Sequence, residues 1–342
     1  MTVLFAALAT GQSAPNFWKQ VGFNEITLSE KSEILSLPSD YKLFSLDYPS
    51  MVAHLRHAPQ EGTAAASSSA FRVMLPLANG VLEEFRVWES SVMHPDLAAK
   101  YPEIRTFAGQ GVTDPTKTLR LGHGYDGFHA VVLGPEKGTA ITWLATGQYE
   151  YYMAFEPSKF DALQGGTPPL HTCGHDHVEH IDPALTPAAP PVQFRGGGEG
   201  ALTTKRRYRL ALSCTSAYAN IHGGTLQGVL SSFVTATNTL NTVLHRDVDV
   251  ELFLSPLTEN LIFLTADSDP FTNINIGGAL LSQNVNITNS TIGLGAYDIA
   301  QVFTGPCQDV GGVVSGSACS LNKAAGVTCN WGSNIVAWCG YS

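Results

Sequence analysis

Between residues 15 and 165, apolar side chains recur mostly at every second position, in runs the length of single strands. Phe71-Arg72-Val73-Met74-Leu75-Pro76-Leu77 alternates, Asn79-Gly80 offers a turn with positive φ, and Val81 to Trp88 alternates again. Two alternating runs around Asn-Gly predict a β-hairpin. Strand-like runs follow at Pro102 to Phe107, Leu119 to Leu121, Gly127 to Leu133, Thr139 to Leu144 and Tyr149 to Phe155, bounded by Gly, Asp or Pro. About seven short strands, with a helical turn or two over Met93 to Lys100, predict a small antiparallel β domain.

The pattern changes at residue 166. Gly165-Gly166-Thr167-Pro168-Pro169, then Pro183, Pro187, Pro190 and Pro191, then Gly196-Gly197-Gly198-Glu199-Gly200 leave few large apolar residues, so 166–204 reads as an exposed linker. Beyond it, Tyr208 to Cys214 is strand-like. Leu226, Val229, Leu230, Phe233, Val234 and Leu240 step by threes and fours, which predicts an amphipathic helix from about Thr225 to Leu244. Strands are expected at Val248 to Leu254 and Leu261 to Thr265, a second helix over Gly278 to Asn289, and strands again at Tyr297 to Phe303 and Gly311 to Cys319. Strand, helix, two strands, helix, two strands is an α/β order with helices laid on a sheet.

Composition narrows the partners. The chain has 342 residues, 44% hydrophobic and 14% charged, with a mean hydropathy of +0.04, enough apolar surface for two globular domains. Its net charge is −10, and no basic cluster exceeds Lys205-Arg206-Arg207, so a nucleic-acid partner is not expected. No stretch has the length of a bilayer-spanning helix. Val3 to Ala9, ahead of Ala-Thr-Gly-Gln-Ser-Ala, reads either as the tail of a signal peptide within residues 1–14 or as a buried first strand or helix. Cys307, Cys319, Cys329 and Cys339, spaced by ten or twelve residues near the C-terminus, read as disulfide cysteines of an oxidising compartment. Nothing in the sequence sets an oligomeric state.

Several ordered matches carry a family resemblance. Tyr208-Arg209-Leu210-Ala211-Leu212-Ser213-Cys214-Thr215 with Ala217-Tyr218 and Gly223-Gly224-Thr225, then Thr265 to Asn273, Gly293 to Phe303, and Gly311-Gly312-Val313 with Ala318-Cys319 and Lys323 to Thr328, resemble the catalytic domain of secreted bacterial reprolysin-like (M12B-type) zinc metallopeptidases. Phe17-Trp18-Lys19, the Phe71 to Trp88 hairpin and Pro102 to Gly111 are similar to that group's propeptide. The resemblance implies an α+β / α/β chain: an antiparallel β propeptide domain at 15–165, the linker at 166–204, and at 205–342 the upper, mixed-sheet subdomain of a zincin-like fold. It implies a secreted zinc-dependent endopeptidase precursor acting on protein or peptide substrates.

The same resemblance stops at Cys329. A family member should then reach His-Glu-x-x-His-x-x-Gly-x-x-His, whose histidines hold zinc while the Glu takes a proton from the bound water. The chain reads Cys329-Asn330-Trp331-Gly332-Ser333-Asn334 instead, and no histidine follows His245. A frameshift or gene fragment, a genuinely short protein, or a different closure of the fold each fit this text. The expectation is an inactive chain without catalytic residues, in which zinc belongs to the complete family enzyme and none is bound here. His222 reads as a loop residue or the opening of a helix at a strand–helix junction, and His245 as a charge at a helix C-terminus. A non-enzymatic peptide- or protein-binding module is the alternative.

Three further features are candidates. By the resemblance, Gly311, Gly312, Val313, Val314 and Ala318 form the cleft's edge strand, which pairs with an extended peptide; the same Gly-rich text reads equally as a loop. His171-Thr172-Cys173-Gly174-His175-Asp176-His177-Val178-Glu179-His180 is dense in metal-binding side chains. It reads as a latency segment whose Cys173 fills the open zinc position in a complete enzyme, as an independent zinc or copper site, or as exposed linker. Trp143, Tyr149, Tyr151 and Tyr152 would suit a carbohydrate-binding face, or ordinary core packing.

Overall fold

The computed structural model describes residues 14–29, 32, 34, 37–68, 70–135, 137–145, 147–159, 173–175, 205–316 and 323–329. In chain order the strands are β1 (Trp18–Gln20), β2 (Lys42–Leu46), β3 (Arg72–Pro76), β4 (Leu82–Glu89), β5 (Arg105–Gly111), β6 (Thr118–Gly124), β7 (Gly127–Leu133), β8 (Thr139–Ala145), β9 (Gln148–Phe155), β10 (Cys173–His175), β11 (Arg206–Cys214), β12 (Val250–Leu254), β13 (Ile299–Thr304), β14 (Gly312–Ser315) and β15 (Ala324–Cys329). The helices are α1 (Tyr48–Leu55), α2 (Ala64–Ser68), α3 (Pro95–Lys100), α4 (Ser216–Ile221), α5 (Leu226–Val248) and α6 (Gly277–Ile292). Described residues within Met1–Ser90, Arg105–His123 and Gly127–Asp161 make one compact unit; those within Ser91–Ile104, Gly124–Asp126 and Ala162–Ser342 make the other.

The first unit is a nine-stranded sheet in the order β1-β2-β9-β8-β7-β6-β5-β4-β3, curled towards a barrel so that β1 comes near β3. The expected hairpin pairs Arg72 with Arg86 through Pro76 with Leu82. Its turn runs through Gly80 at φ 89°, a conformation that disfavours any side chain with a Cβ. Alternation aims Val73, Leu75, Phe85 and Val87 inwards. Trp18 stands edge-on to Phe44, Phe128 and Tyr152 at the centre, a favoured ring geometry. Trp143, Tyr151 and Tyr152 are buried in this same core, with Tyr149 packed against it. These aromatics are packing residues, which removes the carbohydrate-face reading.

The second unit is a six-stranded mixed sheet, order β10-β14-β15-β13-β11-β12, the upper-subdomain architecture of a zincin-like fold. Its strand pairings are parallel apart from β14 with β15. The long helix α5 begins where Thr225 caps it by accepting from the Gly228 N–H. It lays Val229, Leu230, Phe233, Val234 and Leu240 on Leu210, Leu212, Leu252 and Leu254. Polar residues on its buried side have work to do: Asn241 donates to the Leu252 carbonyl at 2.8 Å and accepts from the Leu252 N–H at 2.9 Å.

Three expectations need correction. Leu261 to Thr265 is not a strand. A 3-10 turn covers Thr258–Leu261, Ile262 makes a single bridge to Cys214, and the Ser268 N–H closes a turn on the Thr265 carbonyl. Local hydrogen bonds win there over apolar content. The Met93 to Lys100 segment is helical at α3, but Val92, Met93, Leu97 and Ile104 lie in the second unit's core rather than the first's. His222 follows α4 as its C-cap instead of opening a helix.

Candidate functional site

The antiparallel strand of the mixed sheet, β14, lies towards the edge where the family resemblance puts peptide binding. It pairs Gly312 with Thr328, Val313 with Val327, Val314 with Gly326 and Ser315 with Ala325. The turn after it needs Gly316, at φ 80°, where a Cβ would stand 2.5 Å from the Lys323 carbonyl oxygen. Val313 enters a small core with Phe271, Leu280, Val302, Val327 and the pair Cys307 and Cys329. One side chain is thus committed to packing, and Gly312 leaves only main chain at the start of the strand.

Four ties hold that strand and the chain just ahead of it. Cys307 and Cys329 form a disulfide with Cα atoms 5.5 Å apart. The Cys329 N–H donates to the Gly311 carbonyl at 3.0 Å, and that of Gln308 to the Asn275 carbonyl at 2.8 Å. Asp309 accepts from the Gly277 and Gly278 N–H groups at 2.8 and 3.1 Å, capping α6 from a neighbouring loop. Partial burial works against the Asp309 charge. The main-chain donors of Gly277, Gly278, Asp309 and Val310 outweigh it and hold the carboxyl below the ordinary aspartate range. A cap supplied by a residue some thirty positions away gives no local sequence signal, which is why sequence reading missed it.

The passage read as linker contributes a strand to this edge. β10 runs parallel to β14, with Cys173 opposite Gly312, Gly174 opposite Val313 and His175 opposite Val314. Ala318, Cys319, Cys339, His171, His177, His180 and the apolar run Val3 to Ala9 lie outside the described residues.

Zinc does not fit the described residues. No group of three or more His, Cys, Asp or Glu among them converges to hold a metal ion. After residue 205 the sequence has two histidines. His222 ends α4 with its ring 4.2 Å from that of Tyr218. His245 sits in the last turn of α5 beside Lys205, where a cation favours the helix dipole. Cys214 is fully buried, and loss of solvent pushes its thiol up to about 12, too high for a thiolate ligand. Other charges serve the fold. Arg209 grips Asp298 with paired donors, at 3.1 Å to Oδ2 and 2.8 Å to Oδ1, and these bonds hold the Asp298 carboxyl below its usual range.

Residues 204–336 match the family described as Metallo-peptidase family M12B Reprolysin-like. Those residues are a reprolysin-like metallopeptidase domain. The match takes in β11 to β15, α4 to α6, the disulfide and both histidines, and it stops short of the N-terminal sheet. The family is zinc-dependent, so the reprolysin-like domain here carries its family's sheet without a described zinc-ligand group. No curated protein matches the chain. Among solved structures, metalloproteinase-II from Bacteroides fragilis is similar at 11% identity and a TM-score of 0.41, over 80% of this chain and 81% of that one.

Proposed function

We propose that this chain is a secreted, precursor-type member of the reprolysin-like peptidases that presents the peptide-receiving edge of the fold, with its own Cys173–His175 segment filling that edge. In this reading 15–165 is a propeptide domain, 166–204 a linker, and 205–342 a zincin-like catalytic-type domain. Gly311, Gly312, Val313, Val314 and Ala318 border the cleft. The observation that carries it is the parallel pairing of β10 with β14, because main-chain pairing at a sheet edge is how extended peptides are held elsewhere. The family's substrates being proteins and peptides supports it too. The disulfide between Cys307 and Cys329 supports an oxidising compartment. In a family enzyme that carries the zinc helix, a thiolate at Cys173 would take the metal's open position and keep the precursor latent.

Substitution Gly174→Pro removes a main-chain donor from β10 and frees the edge. Fluorescence anisotropy with labelled extended peptides should then show tighter binding than the parent chain gives, and equal binding by both would sink the reading. The sequence has no His-Glu-x-x-His, so the 342-residue chain should not cleave casein with zinc added. Chelator-sensitive turnover by a clean preparation would leave only the fold part of the proposal standing.

A further inference from the structure

We propose that Ser91–Ile104 is a clip that keeps the N-terminal part of the chain bound to the reprolysin-like domain after the linker has been cut. The segment is encoded between β4 and β5, two neighbours in the first sheet. Its neck closes in that first sheet: the Ser90 N–H donates to the Thr106 carbonyl at 2.9 Å, and the Thr106 hydroxyl donates to the Ser90 carbonyl at 2.6 Å. Ser91–Ile104, which lies between, belongs to the second unit.

The segment enters that unit as a core element. Val92 and Leu97 are fully buried, and Met93 and Ile104 nearly so, among Leu210, Leu252, Leu254 and Phe233. Its main chain extends the second sheet past β12, since the Leu254 N–H donates to the Val92 carbonyl at 2.7 Å and the His94 N–H donates to the Leu254 carbonyl at 3.1 Å. Lys100 pairs with Glu259, whose other oxygen accepts from the Tyr101 hydroxyl at 2.7 Å. A second, smaller hold lies at Gly124–Asp126, where the Tyr125 N–H donates to Ser231 at 2.9 Å and Asp126 accepts from Thr235 at 2.7 Å. A buried apolar cluster inside a ring of polar contacts is the composition of a stable interface. Cutting the chain between 176 and 204 severs none of these contacts. The partner of the domain's β12 edge is therefore a named segment of the same precursor. The domain's core is incomplete without residues encoded ahead of the linker.

The test uses the full chain with a sequence-specific protease site placed between Pro191 and Gly196. After complete cleavage, both pieces should elute together at the volume of the uncut chain. Release of a soluble N-terminal piece, with the other in solution or precipitated, overturns the proposal. Lys100→Glu and Glu259→Lys should each raise the off-rate of the cut complex about tenfold, and the double exchange should bring it back to within about threefold of the parent. Off-rates unmoved by either single change, or a double exchange no better than the singles, would also overturn it. Leu97→Asp should abolish retention in the cut chain.

Discussion

The mixed sheet ends in two edges, and chain from elsewhere covers each in a different way. At β12 the cover is apolar and deep: Val92, Met93 and Leu97 go into the core while Asn241 satisfies the Leu252 main chain from one side. At β14 the cover is β10, three residues long and opposite two glycine-containing registers, Cys173 with Gly312 and Gly174 with Val313. An edge closed by buried side chains is a permanent part of the fold. One closed by a short main-chain ladder can be exchanged for another extended segment at small cost. The difference separates, on a single sheet, an edge packed into the core from one closed by main chain.

Breaking the structural edge should have the largest effect. Leu97→Ala leaves a cavity beneath α3 and should lower stability by about 2–5 kcal/mol, read as a fall in the denaturant midpoint of the second unit. Cys329→Ser tests the anchor of β14. Losing the bond to Cys307, 22 residues away, should cost about 2–4 kcal/mol, and reductant should lower the parent's midpoint equally. If reductant has no effect, the bond does not stabilise β14.

Asn241→Ala strands a buried N–H and carbonyl at Leu252 and should cost about 1–3 kcal/mol, with faster amide exchange at Leu252 than at other β12 residues. The smallest effect concerns the cap on α6. The Asp309 carboxyl is lowered in the folded chain, so its contribution is complete above the unfolded aspartate value and is lost as pH falls through the folded one. The carboxylate faces water, so about 0.5–1 kcal/mol is expected between neutral and strongly acid pH. Asp309→Asn should flatten that part of the acid limb in a pH series of denaturation curves.

The structural edge was half legible in sequence, and the reasons are physical. Period gave α5, because an apolar stripe at three- and four-residue steps has few alternatives, whereas Asn and Thr interrupt the apolar face of α6. Met93 to Lys100 read correctly as helix, yet nothing in Val92, Met93 or Leu97 says which of two apolar cores will take them. That choice is made by matching surfaces far apart in the chain. β1 is three residues long and β10 likewise, below the length at which alternation can be recognised. Leu261 to Thr265 misled in the opposite direction, its apolar run ending in a Thr265–Ser268 turn. The strand at Gly312–Ser315 was expected with the help of the family resemblance, since Gly311-Gly312-Val313-Val314 reads equally well as a loop. Its closure by Cys173–His175 was invisible, because a parallel ladder to a Cys-Gly-His segment uses main chain alone.

The Cys307–Cys329 bond has a further effect on how the molecule tolerates damage. It closes a covalent ring that contains all of β14. A single nick between residues 308 and 328 would open the ring without detaching anything, and the protein would migrate as one band until reduced. Proteolytic wear at β14 would therefore leave the molecule in one piece, whereas among the described residues the contacts that span a nick in 176–204 are noncovalent.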